Sequence, residues 1–359
     1  MNESLFFQYA QKYFPQLVLS VVEMLNEKHT TTLPYLYKDM LTPTFSADGR
    51  WASIQANYTR VTADIVALDS ELPLKSRDSL EKVTGDIPKI GMKKYLTEKQ
   101  LKDIDTMMAL GMAENLIVQN IFNDLPNCIE GVWERIEDIF QSGLSSGVGL
   151  ASRNNGVGIR IDYGYKPENQ FGVAADWTTS NTASAVSEIT AIIDKAMEDG
   201  NVVTNLYADD TWLKAFYKNK EAREQYAFLM NFVGSQIPTL SFEQASNLMS
   251  SKWNIKLHRV NRRFKTEANG VKSNHTAWQK GVAVFTCDEV VGNLTWTTCA
   301  EVTRPVPGVI YENADQFILV SQYSTNDPLR EFTSSQAMVI PVINNVDRIY
   351  TLNCTDVRG

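Results

Sequence analysis

The sequence is poor in the residues that carry most protein chemistry. Its 359 residues include four cysteines and three histidines. Cys128, Cys287, Cys299 and Cys354 form no CxxC pair, so the short paired spacing of a structural zinc site is missing. Buried free thiols are the expectation. His29, His258 and His275 stand in no HExxH, HxH or HxxxH arrangement. No phosphate-binding GxxxxGK loop and no GxSxG elbow occurs. Gly147-Val-Gly149 and Gly156-Val-Gly158 are halves of a dinucleotide fingerprint, but each lacks the third glycine and falls in a hairpin rather than between strand and helix. Asp209-Asp210 is better explained as a helix start than as a metal pair. An active site, a cofactor and a metal are therefore not expected.

Long apolar runs are also missing. Nothing approaches the ~18 residues of a membrane span, and the stretch Leu17 to Leu25 is broken by Ser20 and Glu23. No basic region precedes it and no small-residue cleavage site follows, so no secretory signal is read and synthesis in the cytoplasm is expected. A large positive surplus is absent too. With 34 basic and 42 acidic residues the net charge is -8, which argues against a surface built to neutralise phosphates but leaves room for brief contact with DNA. A chain of this length suggests roughly two domains and buries most of its apolar surface without disulfide or metal support.

What is present is a varied succession of elements. Leu5, Phe6, Tyr9, Tyr13, Leu17, Val21 and Leu25 have roughly helical spacing, interrupted by Pro15, so one helix or two shorter pieces are open. Alternation over Trp51 to Tyr58 predicts a strand. Residues 63–98 are rich in Lys, Asp and Glu and contain Pro73, Gly85, Pro88 and Gly91, which reads as a long extended excursion. Thr97 is a cap for the helical region that follows, which Pro126 splits. Ile129, Val132, Trp133, Ile136, Ile139 and Phe140 form its apolar stripe, Glu130, Glu134, Glu137 and Asp138 face elsewhere, and Gly143 ends it. A hairpin follows over 144–165, turning at Asn154-Asn155-Gly156.

Further on, a helix over 181–199 stops at Gly200, and a strand runs from Val202 to Tyr207. Asp209 and Asp210 start another helix, and Ser241 with Gln244 forms a capping box for a short helix to Met249. Strands are predicted at 254–260, 281–287 and 294–302, with a polar, basic hairpin end at 261–279 tipped by Asn269-Gly270. The region 309–357 is mostly strand.

One stretch is specific. Thr325-Asn326-Asp327-Pro328-Leu329-Arg330-Glu331-Phe332-Thr333, followed by Gln336-Ala337 and an apolar run to Ile343, resembles the closing segment of lambda-type tailed-phage major capsid proteins. There a Gly/Asn-Asp-Pro-x-Arg-Glu-Phe-Thr turn leads into a late strand. Asp162-Tyr163-Gly164 and Asp176-Trp177 also resemble that family's passage between hairpin and axial domain. The resemblance implies an α+β fold of the Hong Kong 97 type. Its parts would be an N-terminal arm with first strands at 1–60, an extended loop at 61–98 and a peripheral domain with spine helix and hairpin at 99–175. An α/β axial domain would occupy 176–305, and 306–359 would return to the peripheral domain.

The same resemblance implies a non-enzymatic shell protein. It would form hexamers and pentamers of an icosahedral head around double-stranded DNA. Its partners would be its own copies, a separate scaffolding protein, a portal and in some phages a decoration protein, with DNA contacted non-specifically and no membrane. A non-viral encapsulin-type shell, a soluble α/β enzyme and another virion component such as a tail or connector protein are the alternatives. Candidate interface residues are Leu68, Leu72, Leu74 and Ile87 in the extended loop, and Arg259, Arg262, Arg263 and Lys265 at the basic hairpin. Asp327, Pro328, Arg330, Glu331 and Phe332 complete the set, with Arg330 and Glu331 read as bridging chain segments or subunits. Some relatives weld subunits through a loop lysine; Lys75 and Lys82 lie in the corresponding region, where a polar-loop lysine is ordinarily just solvated.

Overall fold

The computed structural model describes residues 5–31, 34–56, 80–151, 159–180, 183–231, 234, 237–268 and 270–358. In chain order its helices are α1 (Leu5–Thr31), α2 (Leu36–Met40), α3 (Glu98–Ala109), α4 (Glu114–Ile121), α5 (Leu125–Ser146), α6 (Ala185–Glu198), α7 (Asp210–Lys218), α8 (Lys220–Leu229), α9 (Phe242–Trp253) and α10 (Ala300–Thr303). The first nine strands are β1 (Leu41–Phe45), β2 (Arg50–Ala56), β3 (Leu80–Asp86), β4 (Lys89–Leu96), β5 (Val148–Ala151), β6 (Ile159–Asp162), β7 (Gln170–Val173), β8 (Asn205–Asp209) and β9 (Lys256–Val260). The remainder are β10 (Phe264–Ala268), β11 (Val271–His275), β12 (Val282–Thr286), β13 (Gly292–Thr297), β14 (Val309–Ala314), β15 (Ile318–Asn326), β16 (Leu329–Ile343) and β17 (Ile349–Val357). The chain forms two compact units, the first of Met1–Trp51, Gly85–Asp138 and Asn293–Pro341, the second of Ala52–Thr84, Ile139–Gly292 and Val342–Gly359.

The first unit is built on a six-stranded sheet in the order β1-β13-β16-β15-β14, with β4 also paired to β16. β16 is its centre, antiparallel to β15 over 329–337 and to β4 over 331–338. The strand therefore begins at Leu329. Arg330 to Thr333, expected in a turn ahead of it, already belong to the ladder, and the turn is only Asp327-Pro328, a cis peptide. The excursion expected over 63–98 is corrected for its last part: 80–86 and 89–96 are strands, and Ile87 and Ile90 are buried. Charged residues hid β4 because one of its faces is exposed, giving a lysine-rich alternation rather than an apolar run. Gly91 is required there, since a Cβ would stand 2.7 Å from the Ser335 carbonyl oxygen.

α1 is one helix despite Pro15. Pro15 and Gln11, whose carbonyl loses its partner, both lie on the exposed side, where water replaces the missing bond. The buried side carries Ala10, Phe14, Val18 and Leu25, with Phe14 stacked on Phe122. Thr97 and Gln100 form the capping box of α3.

The second unit holds a five-stranded sheet, β7-β17-β12-β8-β9. β12 is antiparallel to β17 and β8, while β7 and β9 run parallel to β17 and β8. Every residue of β12 is buried, the pattern of a strand covered on both faces. Ile189, Ile192, Leu206, Trp212, Phe216, Phe285, Tyr350 and Leu352 lie in one core. Such side chains contribute about 1.5–3 kcal/mol each relative to exposure. The strand expected at 294–302 stops at Thr297, and residues 300–303 turn into a short helix.

Helix ends follow local chemistry, with two revisions. α9 runs past Met249 to Trp253, where Asn254 takes a left-handed conformation (φ 57°). α5 does not stop at Gly143 but at Gly147 (φ 75°). Gly143 instead serves packing: a Cβ there would stand 2.5 Å from the ring of fully buried Tyr163. The hairpin β5–β6 follows, Val148 opposite Asp162; its Asn154-Asn155-Gly156 turn lies outside the described residues. Gly143→Ala is expected to lower unfolding stability by about 1–3 kcal/mol through overpacking, read as a reduced urea midpoint of the unassembled chain.

Candidate assembly surfaces

The acidic face of α5 is partly buried, contrary to expectation. Glu137 is fully buried and Asp138 nearly so. Glu137 accepts hydrogen bonds from the backbone N–H groups of Leu36 and Tyr37, each at 3.0 Å, and Tyr35 donates its hydroxyl to Glu134 at 3.0 Å. Asp138 is paired with Arg135 at 2.7 Å. Lys38 sits 3.4 Å from the Trp133 ring centroid and donates to Asn26 at 2.7 Å; burial pushes its pKa below the ordinary lysine value. The chain between α1 and β1 is thereby fixed to α5 by charge-assisted bonds. Apolar periodicity missed this, because a buried carboxylate is legible only once its donors are known.

The basic hairpin is formed by β10 and β11, Phe264 opposite His275, with Gly270 (φ 79°) at its tip; Asn269 lies outside the described residues. Two of its four candidate cations are engaged within the unit. Arg259 makes a two-pronged pair with Asp210 at 2.6 and 3.1 Å, and Arg262 is buried. The pairing holds the Asp210 carboxyl below the usual carboxylate range and raises Arg259. Arg263 and Lys265 are exposed. Asp209 caps α7, accepting from the N–H groups of Thr211 and Trp212.

The Asp327-to-Thr333 motif joins three strands. Asp327 and Pro328 are exposed at the turn. Glu331 is buried and accepts from Ser324 at 2.6 Å, so it bridges β16 to β15 within the chain. Phe332 is buried between Tyr95 and Tyr323, with centroids 5.6 and 5.1 Å away. Arg330 lies 4.2 Å from the Tyr95 centroid, and Lys93 lies 5.2 Å from that of Phe332. Tyr95 and Lys93 were missed in the sequence; the alternation Lys89, Gly91, Lys93, Tyr95 was the available signal. Opposite-parity residues meet α5, Ser335 donating to the Cys128 carbonyl at 2.6 Å.

Of the loop anchors, Leu68, Leu72 and Leu74 lie outside the described residues, as does Lys75, while Lys82 falls in β3. Ile87 is buried within the chain. The four thiols are buried and free, as expected; burial pushes Cys128, Cys287 and Cys354 up to about 12. His258 stacks on Tyr207 at 4.6 Å with its Nε2 3.0 Å from Asn205 Oδ1, and His275 packs near Phe264 at 5.7 Å. The ring of His29 lies outside the described side chains. Among the described residues no group of three or more His, Cys, Asp or Glu is placed to hold a metal, and no helix is long and apolar enough to cross a membrane.

Mixed helices and strands, a long helix, a hairpin after it in the chain and a late strand are the parts of the tailed-phage major capsid fold. A prophage capsid protein from Escherichia coli CFT073 is similar at a TM-score of 0.59 and 11% identity, over 94% of this chain and 98% of that one. A phage-related protein from Bordetella bronchiseptica RB50 is similar at a TM-score of 0.51 and 10% identity, over 96% and 98%. The family model of phage major capsid protein E matches residues 52–353, and the chain belongs to that family. It is a structural protein of the phage shell. A search of curated protein sequences found no match.

Glu137→Ala leaves two backbone donors unpaired inside the first unit. A loss of about 2–4 kcal/mol is expected, together with faster hydrogen exchange at Leu36 and Tyr37. Unchanged exchange there would remove Glu137 as the clamp.

Proposed function

We propose that the chain assembles as hexamers and pentamers of an icosahedral phage head that encloses double-stranded DNA. Assembly takes place in the host cytoplasm with a separate scaffolding protein and a portal, and the finished lattice offers sites to a decoration protein in phages that have one. The family match over 52–353 carries this reading. The shell role asks for many weak, directional contacts rather than one strong site, and segments that reach beyond a compact body supply them at the cost of ordering entropy.

Within this reading Leu68, Leu72 and Leu74 are anchors on a neighbouring copy, and Asp327, Pro328 and Arg330 present the β15–β16 turn to one. Arg263 and Lys265 on the hairpin pair with acidic residues around the capsomer centre. DNA is contacted without sequence preference, in keeping with a net charge of -8. No observation favours an encapsulin-type compartment or an α/β enzyme.

Co-expression with the scaffolding protein of the same phage is expected to yield closed shells by negative-stain microscopy. Small discrete oligomers under all conditions would overturn the reading. The double variant Arg263→Glu/Lys265→Glu is expected to cut the yield of normal hexamers severalfold with the thermal midpoint unchanged. Normal hexamers from that variant would take the hairpin cations out of the contact.

A further inference from the structure

We infer that Arg330 and Lys93, framed by the Tyr95–Phe332–Tyr323 ladder, form a socket for a carboxylate of a second copy. The inference rests on the capsid reading and gives one of its contacts a chemistry. Tyr95, Phe332 and Tyr323 are directly opposed across β4, β16 and β15. Ser334 and Lys93 are paired in the same register, and Arg330 stands on the same side as Phe332 by the two-residue period of a strand. Ser335, of the other parity, donates its hydroxyl to the Cys128 carbonyl of α5. The ring ladder therefore occupies the sheet face turned away from α5, and Tyr95 is 43% exposed.

Both cations are placed against rings. Arg330 lies over Tyr95 and Lys93 near Phe332, and among the described residues neither meets a carboxylate or donates a side-chain hydrogen bond. The contrast with Arg259, two-pronged on Asp210, is within one chain. A guanidinium held against a ring has lost part of its conformational freedom and keeps N–H donors that match a carboxylate in two-pronged fashion. The aromatic wall lowers the local dielectric, which strengthens such a pair.

Charge selects the occupant. The chain has 42 acidic against 34 basic residues, so every further copy brings surplus carboxylates. A DNA duplex is a poorer fit: two cations would neutralise about two phosphates, against the repulsion of a chain whose net charge is -8.

The test uses the full chain, assembled with its scaffolding protein from equal parts of nitrogen-15-labelled and unlabelled copies. A water-soluble carbodiimide activates carboxylates; the Lys93 amine then displaces the activated group as an amide, and the carbodiimide leaves as a urea. Peptides are read by mass spectrometry. Mixed-isotope conjugates of the Lys93 peptide with an acidic peptide are expected in shells and not in unassembled chain. Conjugates confined to single copies, no Lys93 conjugate in shells, or conjugates lost when DNA enters would each overturn the socket while leaving the shell reading intact. In parallel, Arg330→Gln is expected to raise the concentration needed for shell formation roughly tenfold or more, the range of a lost charge-pair contact, with the thermal midpoint of the unassembled chain unchanged. An unaltered threshold would remove Arg330 from the socket. If the wild-type chain forms no shells, the proposed function itself falls.

Discussion

A carboxylate without water must be given donors, and the first unit is organised around that requirement at Glu137. The side chain has no exposure, so its charge would cost several kcal/mol if left alone. The backbone N–H groups of Leu36 and Tyr37 satisfy it. These are donors at the start of a helix, where no intrahelical acceptor exists for them. One contact thus resolves two deficits, and it does so only if the 35–38 segment lies against α5. Tyr35 on Glu134 and Lys38 on Trp133 are then local consequences of that docking. Lys38 reaches Asn26 near the end of α1, so the position of the first helix depends on the same clamp.

The central strand β16 solves a related problem with its two faces. Its odd-numbered residues from Glu331 to Ala337 point to the side of α5, and they are small or hydrogen-bonded, as Thr333 and Ser335 are. Its even-numbered residues carry the ring and cation cluster. The Asp-Pro turn sets this parity. A two-residue connection fixes Asn326 opposite Leu329, and a slip of one residue would send Phe332 to the α5 side and Glu331 to the other. The recognisable motif is therefore a register device.

How much of this could be read beforehand follows from what is local. Caps at Thr97, Asp209 and Ser241 were legible because each depends on residues within three positions. The hairpins and most apolar strands were legible from turn chemistry and alternation. β4 was not, since a strand with one open, lysine-bearing face has the composition of a loop. The length of α5 was not, because Gly143 is spaced for Tyr163, a residue twenty positions later, and has no turn to make. The same limit applied to the interface candidates. Nothing near Arg259, Arg262 or Ile87 in sequence indicates that Asp210 or a core claims them, and nothing near Arg330 indicates Tyr95.

That difference matters for a shell, because a charge satisfied at home and a charge left open do opposite things on assembly. Arg259 already holds Asp210, and moving it to a neighbour would break one pair to make another, with little net gain. Arg330 and Lys93 have no such pair to lose among the described residues. Each also avoids much of the usual entropic penalty, because the rings beneath them have already restricted where the charges stand. A contact of this kind is weak alone, and that suits a closed lattice. Copies that bind at the wrong angle must be able to leave, and only the repeated, correctly oriented arrangement should accumulate enough contacts to persist. A chain that holds Glu137 and Asp138 in internal bonds and leaves a few oriented cations on an aromatic surface gives its copies a geometrically defined reason to meet.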